Sequence, residues 1–190
     1  VDRTEESQAG SRRGRAAVAE AGAKMRPVVQ LAHKTRAIDG VAPHAVPYDE
    51  LIAAEQPVII RGLVRDWPLV RTSSAGQAAA HLKSFYRGRR IVAFVARPEL
   101  KGRFGYTSDA TRLDFQSDRG LLDEYLDRIL AHLDDDSAPS IYVGSTDVDT
   151  YLPGFRAEND LVLNHAIFEA NPPLVAVWIG NRTTALAHHD

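Results

Sequence analysis

Leu174-Val175-Ala176-Val177-Trp178-Ile179-Gly180, followed after a polar interlude by His188-His189-Asp190, is the stretch on which the reading of the fold turns. An apolar, β-branched run of seven residues predicts a strand, and Asn181 to Thr184 predicts a turn after it. If the chain is extended again at its end, residues two apart face the same way. His188 and Asp190 then converge on one point while His189 turns away. Such a His-x-Asp pair is two-thirds of the 2-His-1-carboxylate set that holds non-haem Fe(II) with open positions. The pair alone is weak evidence, because seven His and 16 Asp in 190 residues make about half such a pair by chance.

The chain carries its own control in His132-Leu133-Asp134. That pair ends a segment, 120–132, whose Leu121, Leu122, Tyr125, Leu126, Ile129, Leu130 and Leu133 recur at helical spacing. On a helix, residues two apart point roughly 200° apart. His132 is therefore expected at a helix end, near the favourable C-terminal dipole, and not on a metal. His165 is expected to be a satisfied loop or strand histidine, and Asn181 to make a local turn.

At 190 residues, with 44% hydrophobic and 25% charged residues, the chain has the composition of a soluble globular domain. A net charge of −2 gives no general drive toward nucleic acid or anionic membrane. Neither partner is expected. No run approaches the roughly 18 apolar residues of a membrane span, and the N-terminal region has no signal-type apolar core. A reducing cytoplasm is the expected setting. With no Cys, any metal site must be built from His and carboxylate.

Residues 1–27 are rich in Arg, Glu, Ser, Gly and Ala without large apolar anchors, and are expected to be a flexible tail carrying the basic Arg12-Arg13-Gly14-Arg15 cluster. Residues 28–190 are expected to be the first part of a larger folded domain, since the chain starts on Val1 and ends on a candidate ligand. Within them the pattern predicts a short helix over 47–56 and a strand over 57–62. Then come a helix capped by Thr72, Ser73 or Ser74 and running to Tyr86, a strand over 91–96, the 120–132 helix and a strand over 140–144. Helices early and strands late suit an α+β protein with a barrel or sandwich core.

Several islands then resemble one family in order. Gln56-Pro-Val-Ile-Ile-Arg-Gly-Leu-Val-Arg-Asp-Trp-Pro68 is similar to the opening of cupin-like, Jumonji-C proteins. Gly102-Arg-Phe-Gly-Tyr-Thr-Ser-Asp109 and Arg112-Leu-Asp-Phe115 resemble the aromatic region that borders their active-site mouth. Ser140-Ile-Tyr-Val-Gly144 resembles their cosubstrate strand, and Trp178-Ile-Gly-Asn181 with His188-His-Asp190 their metal motif.

The resemblance implies a double-stranded β-helix, the cupin or jelly-roll barrel, preceded by helices. It also implies an Fe(II)- and 2-oxoglutarate-dependent hydroxylase acting on a polypeptide side chain or a small molecule. His188 and Asp190 match the first two iron ligands, and Tyr142 the tyrosine that donates to the distal carboxylate of 2-oxoglutarate. The family's threonine stands three residues before the ligand His, where this chain has Ala185. Thr183 or Thr184 is the nearest hydroxyl, and Thr184 is taken as the site residue. Tyr106 is expected at the substrate mouth. The third iron ligand and the cation for the distal carboxylate are expected beyond Asp190, so the 190-residue chain by itself is expected not to turn over. A sheet ending at its metal strand would also leave an edge for self-association, making a homodimer an expected assembly. The alternatives are a non-catalytic cupin-like metal-binding or scaffold domain and a Zn- or Mn-dependent hydrolase or isomerase on the same ligands.

Overall fold

The computed structural model describes residues 34–184. The 1–27 tail with its basic cluster, and Ala185, His188, His189 and Asp190, lie outside the described residues.

Strand β1 (Arg36–Ile38) pairs in parallel with β2 (Val58–Ile60). Between them runs helix α1 (Tyr48–Ala54), which ends where Glu55 enters the left-handed region at φ 48°. The predicted 47–56 helix and 57–62 strand are both present. This N-terminal layer is fastened to the later chain by polar contacts. The Tyr48 hydroxyl donates to Val162 O (3.0 Å) and the Asn164 amide to His44 O (3.0 Å), while His165 Nε2 meets Asp49 Oδ1 at 3.0 Å.

Helix α2 (Ala75–Phe85) starts at Ser74, whose Oγ accepts the Gln77 N–H at 3.2 Å. The cap narrows the expected choice of three residues to one. Ser74→Ala is expected to cost about 1 kcal/mol, read as a fall of a few degrees in melting temperature.

The main sheet is antiparallel throughout, in the order β4 (Gln116–Gly120), β3 (Ile91–Ala96), β5 (Ser140–Asp147), β6 (Ala176–Gly180). Its inner face carries Ile91 and Ala93 of β3 and Ile141 and Val143 of β5, all at most 2% exposed. Against them pack Ala79 and Leu82 of α2, and Leu122, Tyr125, Leu126 and Ile129 of α3 (Leu122–Ala131). These are four of the seven positions the period picked out on α3. Leu133, past the helix end, is 37% exposed. Helix α4 (Val148–Tyr151) and the turn after it add Val148, Leu152 and Phe155 to the same core. Helix α5 (Ala166–Ala170) is short, and the His165 ring caps it by accepting the Ile167 N–H (3.2 Å).

The architecture is α+β, with helices on one face of an antiparallel sheet; no closed barrel forms among the described residues. Strand β4 was not expected, since Gln116-Ser117-Asp118-Arg119 has no apolar residue. It is an edge strand, and its outward groups at Arg119 are occupied by side chains. The Arg119 N–H donates to Asp118 Oδ1 (2.8 Å), and its carbonyl accepts from the Arg90 guanidinium. Charged side chains that consume edge hydrogen bonds keep an exposed strand from recruiting another. No described helix is long and apolar enough to cross a membrane.

Candidate metal and cosubstrate site

The outer face of the sheet follows from strand alternation. With Ile141 and Val143 inward, Tyr142 and Gly144 point outward, as do Phe94 of β3 and Trp178 of β6. Phe94 stacks on Tyr142 (ring centroids 5.9 Å apart), and Phe104 and Phe115 close the group at 5.4 to 5.7 Å. The result is an aromatic wall with one phenol in it. Burial pushes the Tyr142 phenol above its ordinary value, so it is protonated and able to donate at neutral pH. The Trp178 indole approaches its oxygen and partly offsets that rise, without forming a well-aligned hydrogen bond. Among the described residues the phenol proton has no acceptor, so it can serve a ligand.

Two glycines make room for these side chains. A Cβ on Gly144 would fall on Trp178 Cδ1 well inside contact distance, and 3.0 Å from both Cζ and the hydroxyl oxygen of Tyr142. A Cβ on Gly180, the residue paired with Tyr142, would meet Thr184 Oγ1 at 3.0 Å. Paired residues of a sheet point to the same side. Thr184 therefore sits over Gly180 on the face that carries Tyr142.

The segment after β6 is clamped to the start of β5. Asn181, 5% exposed, donates through Nδ2 to Pro139 O (3.0 Å) and accepts the Ile141 N–H on Oδ1 (3.1 Å). Its carbonyl accepts the Thr184 N–H (2.9 Å), closing the turn. Asn181 does make the expected turn, and its side chain also substitutes for the next rung of the ladder. Thr183 Oγ1 meets Ser140 Oγ at 2.9 Å. Thr184 Oγ1 lies 3.0 Å from Ile141 O and 2.9 Å from Asn181 Oδ1, so its single proton is committed within the turn. What Thr184 offers a ligand is an acceptor oxygen.

Tyr106 stands elsewhere. It lies on a hairpin, 105–114, bridged at Tyr106 and Leu113 and closed by Thr107 N–H to Arg112 O (2.8 Å) and Asp114 N–H to Gly105 O (3.1 Å). At 68% exposed it is a surface residue. The hairpin borders a half-open cleft of about 430 Å³ between the end of β3, the start of β4 and Pro139.

His132 and His81 have structural partners. His132 is the C-cap of α3 and its Nδ1 lies 3.5 Å from Asp135, whereas Asp134 lies 3.8 Å from Arg182. His81 Nε2 accepts from Asn159 Nδ2 at 3.2 Å. The buried Asn159 in turn accepts the Leu69 N–H (3.0 Å) and donates to Phe155 O (3.2 Å). Among the described residues no three His, Asp or Glu side chains gather as a metal set. The expected ligands, His188 and Asp190, lie outside them, four and six residues beyond Thr184.

The model of the cupin-like domain matches residues 43–190, from the turn before α1 through the His-x-Asp pair. The chain belongs to the cupin-like domain family. No curated protein sequence matches it. In this cupin-like domain the His-x-Asp pair follows in sequence the turn that closes β6. The Asn181 clamp and the glycine seats are the features that sequence reasoning missed; a polar residue directly after an apolar strand was their only signal.

Proposed function

We propose that this cupin-like domain is an Fe(II)- and 2-oxoglutarate-dependent hydroxylase acting on a polypeptide side chain or a small molecule. In this reading the outer face of the sheet is the inner wall of a double-stranded β-helix. His188 and Asp190 hold the metal, and the Tyr142 phenol holds the distal carboxylate of the cosubstrate. The observation that carries it is the protonated, outward-facing Tyr142 phenol, set beside Thr184 at the base of the segment that ends in the His-x-Asp pair. Four residues of chain span at most about 14 Å, so His188 is tethered within that distance of Thr184. The chemistry such a centre supplies is oxidative hydroxylation of a C–H bond. The chain's own share is to donate to the carboxylate at Tyr142 Oη and to exclude water with Phe94, Phe104 and Phe115.

A second reading is favoured by one detail. The Thr184 proton is spent inside the turn, and the guanidinium nearest in sequence, Arg182, is paired with Asp134 (3.8 Å) and Asp136 (2.9 Å). Among the described residues this face carries the Tyr142 phenol and the Trp178 indole as donors and no cation, which suits a non-catalytic metal-binding or scaffold cupin.

The two are separated by mixing the full-length protein anaerobically with Fe(II) and then 2-oxoglutarate. A visible charge-transfer band that disappears in His188→Ala supports the hydroxylase. Metal binding without the band supports the non-catalytic metal-binding cupin, and no metal binding removes the hydroxylase and leaves the scaffold. Tyr142→Phe is expected to weaken 2-oxoglutarate binding by about 1–2 kcal/mol, read from the concentration dependence of that band, because the carboxylate loses a donor in a water-poor site.

A further inference from the structure

The ladder between β3 and β4 splits at one rung, and the cleft beside the 105–114 hairpin opens there. Val95 pairs with Gln116, so the antiparallel register sets Arg97 opposite Asp114 two positions on. That rung is not made. The Asp114 N–H turns instead to Gly105 O (3.1 Å), and the Arg97 carbonyl accepts the Leu100 N–H (3.0 Å). Both residues line the cleft that results.

The cleft therefore carries one cation and one anion, and the two do not pair with each other. Among the described residues Arg97 makes no ion pair and no side-chain hydrogen bond. Asp114 spends Oδ1 on the Gly105 N–H (2.9 Å), which leaves Oδ2 without a partner among the described residues. Arg97 is exposed and Asp114 half-buried, so a solute can reach both. Over residues 97–114 four Lys and Arg stand against three Asp and Glu, so no excess of one sign favours a purely anionic or purely cationic ligand.

The other walls include Pro98, Leu113, Phe115 and Pro139, and the volume of about 430 Å³ falls within the roughly 300–1,000 Å³ of small-molecule sites. An inorganic ion would leave those walls bare. In a made rung the two Cα atoms would stand about 5.5 Å apart, so charges on neighbouring atoms suit the gap better than the distant ends of a peptide. A ligand matching this lining carries both charges close together with a hydrocarbon group beside them.

We propose that this cleft binds a free α-amino acid with an apolar side chain. The carboxylate lies on Arg97, whose planar fork matches it, the ammonium on Asp114 Oδ2, and the side chain against Pro98, Leu113 and Pro139. The binding requires neither iron nor 2-oxoglutarate, so it stands or falls separately from the hydroxylase reading.

Isothermal titration calorimetry of the iron-free, full-length protein tests it with four ligands. These are L-leucine, L-leucinamide, which lacks the carboxylate, N-acetyl-L-leucine, which lacks the ammonium, and glycine, which lacks the side chain. Leucine is expected to bind, and each of the other three to bind about tenfold or more weakly. Arg97→Gln should remove the preference for leucine over leucinamide and keep that over N-acetyl-leucine. Asp114→Asn should do the reverse, and its amide oxygen can still accept the Gly105 N–H. Circular dichroism checks that both variants fold; should either fail to, the four ligands on the unaltered protein decide alone. No leucine binding at millimolar concentration, any of the other three ligands binding as well as leucine, or folded variants that keep both preferences would each overturn the proposal.

Discussion

Replacing Asn181 by alanine is expected to destabilise the domain by about 3 kcal/mol, a fall of roughly 6–12 °C in melting temperature for a chain of this size. Asn181 is 5% exposed and bonds two backbone groups, the buried Ile141 N–H and the carbonyl of the exposed Pro139. Alanine leaves the Ile141 N–H unpaired in a buried place, at about 1–3 kcal/mol, and gives up about 1 kcal/mol of net hydrogen bonding at Pro139. Thr184→Val is the matched comparison. It removes one hydroxyl bond from the same turn but keeps Asn181 on β5, and should cost only about 1 kcal/mol. Thermal melts of the two variants therefore separate the clamp from the turn. Equal, small losses would mean that the segment after β6 is held by something other than Asn181. Where the clamp is lost, the Tyr142–Gly180 rung sits at a frayed strand end.

How much of this was legible follows from which interactions are local. The α3 period, the β-branched run of β3 and the Ser74 cap are decided within one element, and their residues announced them. Strand β4 did not, because Gln116 to Arg119 are exposed and polar. Their strand conformation comes from pairing with β3, a tertiary preference that overrides intrinsic propensity. Nor did β1, three residues held in place by β2, which follows about twenty positions later. For the candidate site, the alternation of β5 turns Tyr142 away from Ile141 and Val143, though the sequence pointed to Tyr142 only through the family resemblance. Alternation could not reveal that Phe104 and Phe115 would fold back beside that tyrosine from a loop. Tyr106, expected at the substrate mouth, stands 68% exposed on the hairpin that bridges it to Leu113. The His-x-Asp reading rests on sequence and the family match, since those residues lie outside the described ones.

Gly144→Ala tests whether the outer face is built around the phenol. The added methyl would overlap Trp178 Cδ1 and press on Tyr142 at 3.0 Å, so one ring must move. Tyr142 is confined by Phe94 at 5.9 Å and Phe104 at 5.7 Å, whereas Trp178 is 54% exposed. The indole is the ring expected to leave. Because Cδ1 is near the root of the side chain, a small tilt will not suffice and the rotamer must change. Overpacking of this kind costs about 2–3 kcal/mol. In a Trp67→Phe background, indole emission should shift to the red as Trp178 enters water. The decisive measurement is the double-mutant cycle with Trp178→Ala. If the clash is the cause, Gly144→Ala should cost at least about 1 kcal/mol less once the indole is gone, since two residues in contact are not additive. Additive losses would place the strain in the strand backbone instead. An unchanged protein would show that β5 and β6 can separate freely at this point, and the phenol would then have no fixed position from which to hold a carboxylate.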